Sequence, residues 1–166
     1  MSAGVEARGL PPAVVTGVTA DSRQVRPGNV FVAVRGTRTD GHDFLGGAVE
    51  RGAAVCVVER EVHTTRGVPV VVVEDTRRTL ALLAAAFFGH PGRRVPLIGI
   101  TGTVGKTSVL SMLEAILVAA DARPASIGSL GMRVGGQSID ATQYTTPDAV
   151  RLQDELASVV GAGCDV

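Results

Sequence analysis

Leu97-Ile98-Gly99-Ile100-Thr101-Gly102-Thr103-Val104-Gly105-Lys106-Thr107-Ser108 is the stretch that decides how this chain is read. An apolar run leads into a glycine loop, a Lys-Thr pair comes next, and a helical pattern opens directly behind it. Strand, glycine loop and helix in that order make a cradle for nucleotide phosphates. Glycines let backbone N–H groups come close to phosphate oxygens, and the helix directs its positive end at them. In such a loop the lysine reaches the β- and γ-phosphates of ATP and the adjacent hydroxyl ligates Mg2+. The expected contacts are Gly102, Thr103, Val104, Gly105, Lys106, Thr107 and Ser108, with Lys106 in the catalytic role and Thr107 on the metal.

Lys106 is the one lysine among sixteen basic residues; the other fifteen are arginine. A coding bias toward G+C moves surface charges to arginine at little physical cost. A phosphate-reaching ammonium resists that drift, because a compact charge on a flexible stem does a different job from a planar fork. The full Walker spacing asks for glycine at position 100, which is Ile100, so the match is to the shorter Gly102-x-x-Gly105-Lys106-Thr107. A glycine turn capping an ordinary helix is the competing reading. The residues after the loop favour the cradle: Val109, Met112, Leu113, Ile116 and Leu117 fall on one helical face, with Ser111 and Glu114 off it. A core-packed helix is therefore expected from Lys106 to Ala120.

Composition sets the outer bounds. A chain of 166 residues makes one large domain or two small ones. Its formal net charge is zero, so nothing in it calls for nucleic acid or an anionic membrane surface. Aromatic residues are 3% of the chain, which leaves few platforms for stacked bases. Cys56 and Cys164 have neither metal-ligand spacing nor a disulfide pattern, so a reducing cytoplasm is expected. Met1 to Gly9 lacks the apolar segment of a signal peptide, and no apolar run is long enough to span a bilayer.

Along the chain, strands are expected at Val14 to Thr19 and Val30 to Val34, with the turn Arg26-Pro27-Gly28-Asn29 between them. A short helix around Phe44 to Val49 ends at Gly52. Ala54 to Val58 and Val70 to Val73 are valine-rich runs that read as strands covered on both faces. Asp75 caps a helix to about Phe88, and Gly89-His90-Pro91-Gly92 breaks it. That break divides an N-terminal domain, 1–92, from a second, 93–166. The second is expected to hold a strand at Leu97 to Ile100, the glycine-loop helix, and a strand at Pro124 to Ile127. A hairpin comes next, about Gly135-Gly136. Thr146-Pro147-Asp148 opens a last helix, with Thr146 as its cap and Pro147 in its first position. Val150, Leu152, Leu156, Val159 and Val160 make its buried stripe.

Three blocks in this order resemble one family, the Mur ligases of peptidoglycan synthesis, and within it the UDP-N-acetylmuramoyl-tripeptide synthetase type. The first is Gly17-Val18-Thr19-Ala20-Asp21-Ser22-Arg23 with Val25 to Ala33, Gly36 and Asp40-Gly41-His42-Asp43-Phe44. The second is the glycine loop, and the third is Thr145-Thr146-Pro147-Asp148 with Leu152-Gln153. The resemblance implies an α/β chain: a small mixed-sheet, uridine-binding N-terminal domain, then the first part of a P-loop ATPase domain. It implies ATP-dependent amide ligation, in which a carboxylate of UDP-MurNAc-L-Ala-D-Glu is phosphorylated and the amine of a diamino acid attacks the acyl phosphate. It also implies a monomeric enzyme.

Substrate contacts carried over from the family are Ser22, the loop Thr37-Arg38-Thr39, and Thr145 and Thr146. Plainer readings stand beside some of these: Thr145 and Thr146 as simple helix caps, and the neighbouring Asp21 as a turn residue. Arg23 reads equally well as an ion-pair partner. His42 reads as a loop histidine bonded locally, not as a catalyst. The family commonly has asparagine where this chain has Val104. Its magnesium-serving acidic residue and histidine, and its amino-acid-binding domain, find no counterpart, so a fragment inactive on its own is expected. Two alternatives stand beside this reading: a UDP-sugar-peptide binding module with a vestigial ATPase start, and the next ligase of the same pathway.

Overall fold

Valine-rich runs build the sheet at the centre of the first half of the chain. The computed structural model describes residues 14–37, 39–140 and 147–166. It divides between Phe87 and Phe88 into two compact units. In the first unit four strands pair in parallel in chain order: β1 (Gly17–Thr19), β2 (Asn29–Val32), β3 (Val55–Val58) and β4 (Val70–Val72). Parallel neighbours need a crossover, and helix α1 (Leu45–Glu50) supplies the one between β2 and β3. Helix α2 (Thr76–Phe87) packs back against β1.

The two inner strands are buried along their whole length. Phe31, Val32, Cys56 and Val58 are fully enclosed, and each large apolar side chain there contributes roughly 1.5–3 kcal/mol by leaving water. Strand β4 differs from expectation. Among the described residues it is an edge strand, paired only to β3, and Val72 is half exposed. A valine run signals a strand without saying whether a second neighbour covers it. Gly41 is required where it stands, because a Cβ there would lie 2.7 Å from the backbone of Ala33 and Val34.

The second unit holds helix α3 (Lys106–Ala119), strands β5 (Ala125–Gly128), β6 (Gly131–Val134) and β7 (Gln137–Asp140), and helix α4 (Ala149–Gly161). The strands form an antiparallel sheet in chain order. Gly135 and Gly136 carry positive φ values of 56° and 80° in the turn between β6 and β7, the conformation a two-residue hairpin demands. Met132 and Val134 of β6 pack with Val159 of α4 and with Cys164.

Three expectations fail in this unit. Leu97 to Ile100 forms no strand, since a strand exists only through a hydrogen-bonded partner and neither sheet offers it one. Leu97 and Ile98 are both more than half exposed. Helix α3 starts as expected but is rotated from the expected face: Val109, Met112 and Ile116 are exposed, Leu113 and Leu117 half-buried, and Glu114 buried. Leu110 lies against Gly128 of β5 instead. The charge is accommodated because Arg133 Nε of β6 pairs with Glu114 Oε1 at 3.2 Å. The cap of α4 is Asp148, whose Oδ1 accepts the Arg151 N–H, one position beyond the expected proline start. Of its expected stripe, Leu156 and Val159 are buried and Val150, Leu152 and Val160 half-buried.

Candidate functional site

The glycine loop behaves as its residues dictate. Gly105 sits at φ +81°, a left-handed conformation that favours glycine, and there it serves as the residue from which α3 starts. No side chain caps that helix end. Its first turn carries no acidic residue either, a condition that suits an anion at the positive pole. Gly102 is also tight: a Cβ would meet the Val104 carbonyl oxygen at 3.3 Å. A side chain there would intrude on the concave backbone a phosphate would need.

Lys106 folds back over this loop, its Nζ donating to the Gly102 carbonyl at 2.6 Å. Lys106 and Thr107 line a cavity of about 100 Å³, together with Ile98, Ile100, Leu110, Gly128 at the end of β5 and Ser129 just after it. That volume is well below the ~300 Å³ at which pockets for whole small molecules begin. Gly102, Lys106 and Thr107 are thus brought together. Thr103, Val104 and Ser108 stand exposed around them, Val104 at 87%. A valine in place of a polar residue disturbs no core at that position. The hydroxyl of Thr107, beside the lysine, suits a hard cation such as Mg2+, which takes oxygen ligands. Among the described residues no group of three or more His, Cys, Asp or Glu gathers into a metal site.

The expected uridine residues lie on the first unit, beyond the carboxyl ends of neighbouring strands. Ser22, half-buried, starts the short helix Ser22–Gln24 just after β1. Asp21 caps that helix, accepting the Arg23 N–H at 2.9 Å, and Arg23 Nη2 donates to its other oxygen at 2.8 Å. The Arg23 side chain, with burial opposing it only in part, holds the Asp21 carboxyl down at about 2. Arg23 is therefore an ion-pair partner, one of the two readings its sequence allowed. Thr37 and Thr39 are exposed on the loop that leaves β2 and closes at the Arg35–Asp40 bridge, where the Gly36 N–H donates to Thr39 O at 2.9 Å. Arg38, Thr145 and Thr146 lie outside the described residues.

Sequence reasoning missed a polar network beside that loop. Asp40 Oδ1 accepts both the backbone N–H and the Nδ1 proton of His42, at 3.0 and 2.6 Å. His42 Nε2 receives the Glu59 N–H, and Glu59 Oε1 accepts from both the N–H and the hydroxyl of Thr76. The His42 backbone N–H draws the Asp40 carboxyl below its usual range, and the Thr76 N–H does the same for Glu59. Partners 17 residues apart leave no local signal.

Fold and loop together define a two-unit α/β protein with a glycine-loop helix start. The chain belongs to the Mur ligase family. Residues 14–88 match the model described as Mur ligase family, catalytic domain, and residues 100–166 match the Mur ligase middle domain. Among curated relatives, the UDP-N-acetylmuramoyl-L-alanyl-D-glutamate--2,6-diaminopimelate ligase of Bacillus licheniformis is 42% identical over 151 residues, 91% of this chain and 30% of that protein. The protein of the same name from Aquifex aeolicus is 46% identical over 82% of this chain and 28% of its own length. A solved structure of a ligase of that name superposes with a TM-score of 0.68 at 26% identity, over 90% of this chain and 30% of the other. The chain spans about 30% of the length of the curated relatives it matches.

Proposed function

We propose that this chain carries the uridine-side and phosphate-side portions of an ATP-dependent ligase that adds 2,6-diaminopimelate to UDP-MurNAc-L-Ala-D-Glu. The single observation behind the ATP half is the placement of Lys106 and Thr107 on one cavity at the uncapped start of α3. The names of the relatives support the substrate pair. Bound ATP would supply the phosphoryl group that activates a carboxylate for amide formation.

The chain's own residues would do the holding. Lys106 would leave the Gly102 carbonyl and place its ammonium against the transferring phosphoryl group, where charge spreads over the equatorial oxygens. Thr107 would offer its hydroxyl to Mg2+, and the N–H groups at the start of α3 would face phosphate oxygens. Ser22, Thr37, Arg38 and Thr39 are assigned to the uridine nucleotide, and Thr145 and Thr146 to the muramoyl part. The domain assignment is 1–92 for the uridine side and 93–166 for the ATPase side. Both substrates of such a ligase belong to the cytoplasm, which is the location assigned; a monomer suffices for the reading. Among the described residues no helix is long and apolar enough to cross a membrane.

Calorimetric titration with Mg-ATP tests the phosphate half. Lys106→Ala should weaken binding at least tenfold, which is about 1.4 kcal/mol. Equal affinity in the wild type and the variant would remove Lys106 from the site.

A further inference from the structure

His42 has a burial and a set of contacts that phosphate or uridine binding does not by itself require. Only 2% of its side chain is exposed. Both ring nitrogens are engaged: Nδ1 lies 2.6 Å from Asp40 Oδ1, and Nε2 lies 3.0 Å from the Glu59 backbone nitrogen. A backbone N–H has no lone pair to give, so Nε2 is the acceptor and bears no proton. The ring proton then sits on Nδ1 and is donated to Asp40. One neutral tautomer satisfies both contacts.

The two ends of this bridge lie on different segments. Asp40 is the closing residue of the loop that begins at Arg35, and its Oδ2 also faces Arg35 Nε at 3.7 Å and Arg60 Nη1 at 3.5 Å. Glu59 directly follows β3, and its carboxylate holds Thr76, the fully buried first residue of α2. Through one imidazole the exposed loop is therefore referred to the sheet end and to a helix start.

We propose that His42 is a positioning residue, bridging Asp40 to the backbone of Glu59 and thereby fixing the loop that presents Thr37 and Thr39. The consequence for a ligand rests on the uridine reading given above; the bridge itself does not. Asp40→Asn keeps an acceptor oxygen for the Nδ1 proton, whereas Asp40→Ala and His42→Ala remove one end of the bridge.

The experiment measures amide hydrogen exchange at Gly36 and Gly41, whose N–H groups donate to Thr39 O and Val34 O, with UDP titration of the same proteins. His42→Ala and Asp40→Ala should each raise exchange at these amides at least tenfold, the double variant should be no worse than either, and Asp40→Asn should return to within about threefold of wild type. UDP affinity should follow the same order. If His42→Ala does not fold, His42→Phe, which fills the space without ring nitrogens and leaves Asp40 capping the His42 N–H, still decides. Asparagine behaving like alanine would show that the Asp40 charge on Arg35 and Arg60 matters and the bridge does not, and would overturn the proposal. Unchanged exchange in every variant, or a proton found on Nε2 in long-range nitrogen–proton NMR spectra, would overturn it as well. A wild-type chain that ignores UDP while its exchange obeys this order would sink the uridine reading and leave the positioning role standing.

Discussion

Cys56 shows how far a single residue's chemistry is set by its surroundings. It is fully enclosed in β3, and burial pushes its thiol up to about 11. Cys164 is also buried and its thiol shifted the same way, by burial first and then by Asp165. The thiolate is the reactive form, so iodoacetamide near about pH 8 should modify neither cysteine in the native chain and both in concentrated guanidinium. Rapid native labelling of Cys56 on intact-mass analysis would contradict the packing of β3. Asp21 makes the opposite case at the surface. Its folded value of about 2 lies below the ordinary 3.8, so the stability it contributes is present above about pH 4 and lost as pH falls through about 2. Arg23 is 83% exposed, so solvent screening keeps the contribution of the pair small. The thermal midpoints of wild type and Asp21→Asn should differ slightly at neutral pH and converge in acid; a constant gap down to about pH 2 would assign the effect to the helix cap alone. At this scale the sequence spoke clearly where chemistry is local. That Lys106 stands at a helix start behind a glycine loop was legible from its neighbours, while the contacts of His42 were not, because its decisive partner, Glu59, is brought to it by the β2–α1–β3 crossover.

Helix α3 is the element whose boundaries were legible and whose orientation was not. Its apolar residues run almost all round the axis: Leu110, Leu113 and Leu117 form one stripe at helical spacing, and Val109, Met112 and Ile116 form another beside it. Periodicity alone cannot choose between two adjoining stripes; the expected face took Leu113 and Leu117 from the first and all of the second, and counting Glu114 as solvent-facing centred it away from the buried side. The deciding fact, Arg133 arriving from β6, is tertiary. Arg133 also donates to the Gly136 carbonyl at 2.6 Å, so the ion pair locks α3 to the hairpin. Glu114→Ala should leave that guanidinium without its carboxylate and cost about 2 kcal/mol in urea denaturation, since hydrogen bonds to charged groups are worth ~1.5–3 kcal/mol. Met112→Ser, on the 65% exposed side chain, should stay within about 0.5 kcal/mol. The reverse ranking would restore the orientation that periodicity suggests. Strands obey the same logic. The Gly135-Gly136 turn identified its hairpin because the turn chemistry is local, but whether Leu97 to Ile100 pairs depends on a neighbour that no pattern within the run can name.

Over the whole molecule, stability should follow how completely each strand is partnered and covered. In the first unit β3 is hydrogen-bonded on both sides, and every one of its side chains is buried. In the second unit β6 is also paired on both sides, but its neighbour β7 is exposed throughout, so one flank of that ladder lies open to water. Leu97 to Ile100 has no ladder in either sheet. Composition left one domain or two open, and the Gly89-His90-Pro91-Gly92 break suggested two because turn residues are visible locally. The ranking of the units depends on coverage and not on how apolar each run is. Amide exchange tracks local opening, which costs most where burial and pairing coincide. Exchange measured residue by residue on the intact chain should therefore be slowest at Val55 to Val58, at least tenfold faster at Met132 to Val134, and fastest at Leu97 to Ile100. Protection at Leu97 to Ile100 equal to that of β3 would mean the run is paired in solution and would overturn the order. Slower exchange in β6 than in β3 would place the more stable core in the second unit, against the burial that favours the first.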